Sequence, residues 1–190
     1  MTTLRLFASP LLFIAAYVPF WTSGRFALGA VITCWVLFVL IELSDMLDGL
    51  LARTQDIVTD FGALWDPFAD VVSRLTYFAV FAGFSIVPMW MFMLILYREF
   101  GMLFVRGLML RDGVVVRARF GGKLKAVSYA ITGVVGLLLY TRIQLGVLFT
   151  IRWLAWYANG AMLLSVVLAW VSFLDYMRWV SLRRNANRDR

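Results

Sequence analysis

Six stretches of the chain are apolar over helical length: Leu4 to Trp21, Phe26 to Ser44, Phe61 to Val87, Met89 to Leu110, Gly122 to Thr141 and Trp153 to Val180. Each is close to the ~20 residues a helix needs to cross a bilayer, and the connections are short. The pattern predicts an all-α membrane protein with six transmembrane helices, one domain over residues 1–182, and a basic cytoplasmic tail, 183–190. The first run reads as a helix of the bundle rather than a cleaved leader, because five more apolar runs follow it. Pro10 and Pro19 mark kinks or an end within it. Trp21, Trp65, Trp90, Trp153 and Trp179 fall near the predicted helix ends, where indole rings favour the interface.

Composition sharpens the picture. Of 190 residues, 63% are hydrophobic and 15% charged, against ~45–50% and ~25% in a soluble domain, which excludes a water-soluble globule. The one cysteine, Cys34, lies in an apolar run, so no intrachain disulfide forms. The chain has no histidine, so any acid-base work falls to carboxylates. With the N-terminus inside, six crossings leave only Arg25, Arg142 and Arg152 on the outer side, as the positive-inside rule prefers. The expectation is a multi-pass protein of the inner (cytoplasmic) membrane, N-in and C-in, with its active site facing the cytoplasm. The net charge of +7 then speaks for insertion and anionic membrane lipid, not for nucleic acid.

Four aspartates stand out against this background. The chain reads Ser44-Asp45-Met46-Leu47-Asp48-Gly49-Leu50-Leu51-Ala52-Arg53 and then Phe61-Gly62-Ala63-Leu64-Trp65-Asp66-Pro67-Phe68-Ala69-Asp70. If the second helix continues past its apolar run, Asp45 and Asp48 lie about 60° apart on a face shared with Gly49 and Ala52. Gly62, Asp66 and Asp70 form a stripe on the third helix at i, i+4 and i+8, and a short loop makes the two helices antiparallel neighbours. Carboxylates massed near a membrane either gain protons or bind cations. Oxygen-only ligands suit Mg²⁺, Mn²⁺ or Ca²⁺, and a cluster of this size can hold two ions about 4 Å apart, a clamp for both entering and leaving oxygens at phosphorus. Gly49 and Ala52 leave room for a ligand beside the metals, and Arg53 offers a fork of donors to phosphate. Asp56 and Asp60 read as helix caps. Glu42, one turn deeper than Asp45, is open between supporting the site and packing. The alternative for the whole group is solubilising charge and helix capping.

The spacing D-x-x-D-G-x-x-A-R, eight residues, then G-x-x-x-D-x-x-x-D, complete from Asp45 to Asp70, resembles the signature of the CDP-alcohol phosphatidyltransferase family. The resemblance implies a six-helix membrane domain, usually dimeric, that transfers a phosphatidyl group from CDP-diacylglycerol to an alcohol and releases CMP. By position, Asp45, Asp48, Asp66 and Asp70 then look like ligands of two divalent cations, Mg²⁺ or Mn²⁺, with Asp70 also the general base. Gly49, Ala52, Arg53 and Thr59 look like contacts to CDP-diacylglycerol. Arg98-Glu99-Phe100, Arg106, Gly113-Val114-Val115 and Gly122-Lys123-Leu124-Lys125 resemble the downstream pattern of bacterial phosphatidylglycerophosphate synthases, whose acceptor is glycerol 3-phosphate, with a weaker likeness over Thr2 to Pro10. Arg98, Arg106, Lys123 and Lys125 are the candidates for the acceptor phosphate, against the alternative that they only obey the positive-inside rule. Val71 stands where the family has a lysine, and Arg74, one turn after Asp70, is the candidate for the missing charge. Other acceptors (inositol phosphate, serine or phosphatidylglycerol) and a divalent-cation channel or carrier are the competing readings.

Overall fold

A computed structural model describes residues 2–51, 60–111, 120–147, 149 and 151–188, without the side chains of 48–51, 60–64, 120–121, 123 and 182–188. Among these residues the regular structure is helical: α1 (Thr2–Trp21), α2 (Ala27–Leu51), α3 (Asp60–Gly83), α4 (Met89–Arg111), α5 (Phe120–Gln144) and α6 (Ile151–Arg188). Four of them, over Thr2–Trp21, Ala27–Leu47, Leu124–Gln144 and Ile151–Ser181, are long and apolar enough to cross a membrane. α3 and α4 carry charges in their bodies: Asp66, Asp70 and Arg74 on one, Arg98, Glu99 and Arg106 on the other. The expected six-helix architecture is present.

The helix ends follow local backbone chemistry. α1, α3 and α5 each stop in a left-handed residue, Ser23 (φ 53°), Ser85 (φ 56°) and Gly146 (φ 68°). In each case the next N–H reaches back five residues: Gly24 to Pro19 O at 2.8 Å, Ile86 to Phe81 O at 2.8 Å, and Val147 to Arg142 O at 3.0 Å. These Schellman closures satisfy carbonyls that the helix leaves open. One of them ends α3 at Gly83, short of the expected Val87. Elsewhere helices outrun the apolar pattern. α2 continues past Ser44 to Leu51, and α6 continues to Arg188, through most of the segment read as a tail. Pro10 and Pro19 both lie inside α1.

α1 packs on α2 and α3, α3 on α4 and α5, α2 on α5, and α6 on α4 and α5. The centre of the bundle holds Phe38, Tyr77, Phe78, Phe81, Ile95, Tyr129 and Tyr140. Its outside is apolar too: Phe7, Phe20, Trp153 and Trp156 are all more than half exposed. That distribution suits hydrocarbon as the surrounding solvent. Polar atoms inside bond across helices, Tyr140 Oη to Ala16 O at 2.8 Å and Trp35 Nε1 to Thr141 Oγ1 at 3.0 Å. Gly133 lets α5 approach α2, since a Cβ there would meet the buried Phe38 ring at 2.6 Å. Gly133→Val should therefore cost about 1–3 kcal/mol by overpacking. A lowered melting temperature of the detergent-purified variant would register this, and an unchanged one would mean that the ring can move aside.

Candidate active site

Up-and-down alternation brings the start of α1, the end of α2 and the start of α3 to one end of the bundle. Because α2 keeps helical geometry beyond its apolar run, Asp45 sits on its face toward α1 and α3. Both oxygens of Asp45 are engaged by guanidinium groups. Arg5 Nη1 donates to Oδ1 at 2.9 Å and Arg74 Nη2 to Oδ2 at 2.8 Å. The same two nitrogens reach Asp70 Oδ1, at 3.5 Å from Arg5 and 3.1 Å from Arg74. Asp45 and Asp70, from different helices, thus share two cations. Asp66, one turn before Asp70, accepts from Thr2 Oγ1. Ser73 donates to the carbonyls of Ala69 and Asp70, which keeps its hydroxyl satisfied inside α3.

Burial separates the groups by role. Arg5 is 2% exposed and Arg74 7%, so they are fixed parts of the bundle. The side chains of Asp45 and Asp70 are 36% and 27% exposed, so the carboxylates open toward solvent. Removing one ion of such a set leaves its partner uncompensated in a poorly solvated place.

Of the other residues singled out in the sequence, Ala52, Arg53 and Thr59 lie outside the described residues. Asp48, Gly49 and Lys123 lie on described helical backbone, but the side chains of Asp48 and Lys123 are outside the described set. Among the described residues no three His, Cys, Asp or Glu form a group able to hold a metal ion. Asp45, Asp66 and Asp70 nonetheless offer oxygen donors alone, the chemistry that hard divalent cations take. Glu42 is half-buried one turn before Asp45. Arg98 and Lys125 are brought together on α4 and α5, 2.9 and 2.8 Å from Glu99 Oε1, whereas Arg106 stands two turns further along α4, half-buried.

Sequence reasoning assigned no role to Arg5, Thr2, Glu99 or Tyr129. A signal existed for two of them. Arg5 is the one charge in the first apolar run, and Glu99 is an acid inside the fourth; intramembrane charges seek partners. Arg74 was read as a substitute charge next to Asp70, and it does pair with Asp70 and also with Asp45.

The family model described as CDP-alcohol phosphatidyltransferase matches residues 1–173. The chain belongs to the CDP-alcohol phosphatidyltransferase family. It is 38% identical over 149 residues to a CDP-diacylglycerol–glycerol-3-phosphate 3-phosphatidyltransferase of Treponema pallidum, covering 75% of this chain and 67% of that one. It is 34% identical over 134 residues to a probable phosphatidylglycerophosphate synthase of Mycobacterium tuberculosis (69% and 60%). A Bacillus subtilis protein named like the first is 32% identical over 132 residues (66% and 67%). The chain thus spans between 60% and 67% of the length of these relatives. This family of phosphatidyltransferases is generally divalent-cation dependent, in keeping with an all-oxygen donor set.

Arg74→Ala should lower stability by about 1–3 kcal/mol, read from unfolding of the purified protein. In the double variant with Asp45→Asn the losses should fall short of additive by at least about 0.5 kcal/mol. Additive losses would mean that the two groups are not coupled.

Proposed function

We propose that the chain is a phosphatidylglycerophosphate synthase, transferring the phosphatidyl group of CDP-diacylglycerol to glycerol 3-phosphate with release of CMP. The observation that carries this is the meeting of Asp45 and Asp70 on shared guanidinium groups, at the spacing of the family signature. The names of the Treponema, Mycobacterium and Bacillus relatives support the choice of acceptor. On this reading the catalytic domain is 1–182, the basic stretch 183–190 lies at the cytoplasmic face, and the working unit is a homodimer, as the likeness to the family suggests. The N- and C-termini and the site face the cytoplasm across the inner membrane, where the water-soluble acceptor meets a donor held in anionic lipid.

Asp45, Asp48, Asp66 and Asp70 would hold two divalent cations, Mg²⁺ or Mn²⁺. Bound there, the ions supply charge neutralisation for the pyrophosphate. The remaining work belongs to the chain. Gly49, Ala52, Arg53 and Thr59 receive the nucleotide end of the donor. Arg98, Arg106, Lys123 and Lys125 receive the acceptor phosphate. Asp70, on the rigid body of α3, takes the proton of the acceptor's primary hydroxyl as that oxygen attacks the phosphorus bearing diacylglycerol. The bond to CMP breaks, and CMP leaves with the electron pair. Arg5 and Arg74 keep the Asp70 carboxylate aimed until the hydroxyl arrives.

One observation favours a second acceptor. A CMP-forming cardiolipin synthase of Streptomyces coelicolor is 36% identical over 81 residues, 42% of this chain and 38% of that one. Phosphatidylglycerol therefore belongs in the assay. Purified protein given CDP-diacylglycerol should release CMP with glycerol 3-phosphate and not with phosphatidylglycerol, inositol phosphate or serine, and chelation should stop it. Turnover that survives thorough chelation, or prefers another alcohol, would overturn the reading. Asp70→Asn should lower kcat at least about 100-fold, as loss of a general base does, with donor binding retained. Arg106→Ala should raise the acceptor KM more than the donor KM.

A further inference from the structure

A second group of charges lies on α4 and α5. Arg98, Glu99 and Lys125 are 3%, 3% and 8% exposed. One oxygen of Glu99, Oε1, accepts from Arg98 Nη1 at 2.9 Å, Lys125 Nζ at 2.8 Å and Tyr129 Oη at 2.8 Å. Arg98 Nε donates to the α6 carbonyl of Ala169 at 3.0 Å. Two buried cations therefore share a single carboxylate, and one positive charge is left over. Excess charge inside an apolar bundle is costly unless an anion completes it. The surplus is also close to the aspartates. Lys125 Nζ lies 4.9 Å from the centroid of the Tyr129 ring, and Arg74 Cζ lies 5.8 Å from the same centroid.

Sealing the bundle alone would not need this arrangement, because apolar side chains of similar volume seal an interior at least as well. What three donors on one oxygen accomplish is immobilisation. A lysine on a flexible stem otherwise loses rotamer freedom when it grips a phosphate, and a group already held in place does not. We propose that Glu99 is a positioning residue: it fixes Lys125 and Arg98 so that their surplus positive charge is presented, already ordered, to the phosphate of the acceptor alcohol. This rests on the acceptor reading above, and it assigns to Glu99 the ordering of cations that the reading takes as phosphate ligands.

The test uses the full chain purified in detergent, with the KM values for glycerol 3-phosphate and CDP-diacylglycerol measured for wild type, Glu99→Gln and Tyr129→Phe. Glu99→Gln should raise the acceptor KM about tenfold or more and leave the donor KM within about twofold. Tyr129→Phe keeps the ring and removes one bond to Glu99, so it should shift the acceptor KM the same way by a smaller factor. Equal shifts in both KM values, or a fall in kcat alone, would overturn the proposal. If Glu99→Gln does not fold, Tyr129→Phe decides: an acceptor KM equal to wild type overturns it. Wild-type turnover of glycerol 3-phosphate with both variants unaffected sinks this inference alone. A wild type that prefers a different phosphorylated alcohol sinks the glycerol 3-phosphate reading alone, and the same KM comparison is then made with that alcohol. A wild type that takes only unphosphorylated alcohols sinks both.

Discussion

A charge inside an apolar bundle must find its counter-charge inside the same bundle, and Arg74 meets that requirement by holding Asp45 of α2 and Asp70 of its own helix at once. Much of the structure around the site follows from this contact. It requires α2 to keep helical geometry beyond its apolar run, so that Asp45 reaches the level of Asp70. It requires α1 to pack with its first turn at that level, so that the buried Arg5 closes the other side of the same two carboxylates. An aspartate set that repels itself in isolation becomes an organised surface because two guanidinium groups are built into its floor.

The two polar clusters divide the bundle between its halves. α1, α2 and α3 supply the aspartates and the arginines that compensate them, while α4, α5 and α6 supply Glu99, Arg98, Lys125, Tyr129 and the Ala169 carbonyl. Alternating helix direction sends both clusters to one end. The other end closes with left-handed turns at Ser23, Ser85 and Gly146 and exposed tryptophans such as Trp21 and Trp153. For the proposed reaction between a lipid donor and a soluble acceptor, such polarity gives one charged end and an apolar bundle that keeps the donor's tails in hydrocarbon.

Exposure distinguishes what the clusters do. The side chains of Asp45 and Asp70 are about one-third open, whereas that of Glu99 is 4% exposed. The open carboxylates are held by Arg5 and Arg74 at a partly exposed surface. The closed one has its accepting oxygen committed to three donors from its own chain, so it acts through the groups it holds.

Much of this was legible in the sequence. Apolar length dictated the six helices, and the signature from Asp45 to Asp70 pointed to the chemistry, because both are properties of local sequence: hydrophobic runs must be about as long as the bilayer is thick, and i, i+4 spacing aligns residues on one face. Helix ends were less legible, since Ser85 closes α3 through its backbone conformation and no side-chain pattern announces that. The partners of the charges were not legible at all. That Arg5 reaches Asp45 and Asp70 across 40 and 65 residues, or that Glu99 gathers Lys125 and Tyr129 from another helix, depends on how the helices turn and pack against one another. Residue type says that a buried charge needs a partner, and only tertiary packing decides which one comes within 3 Å.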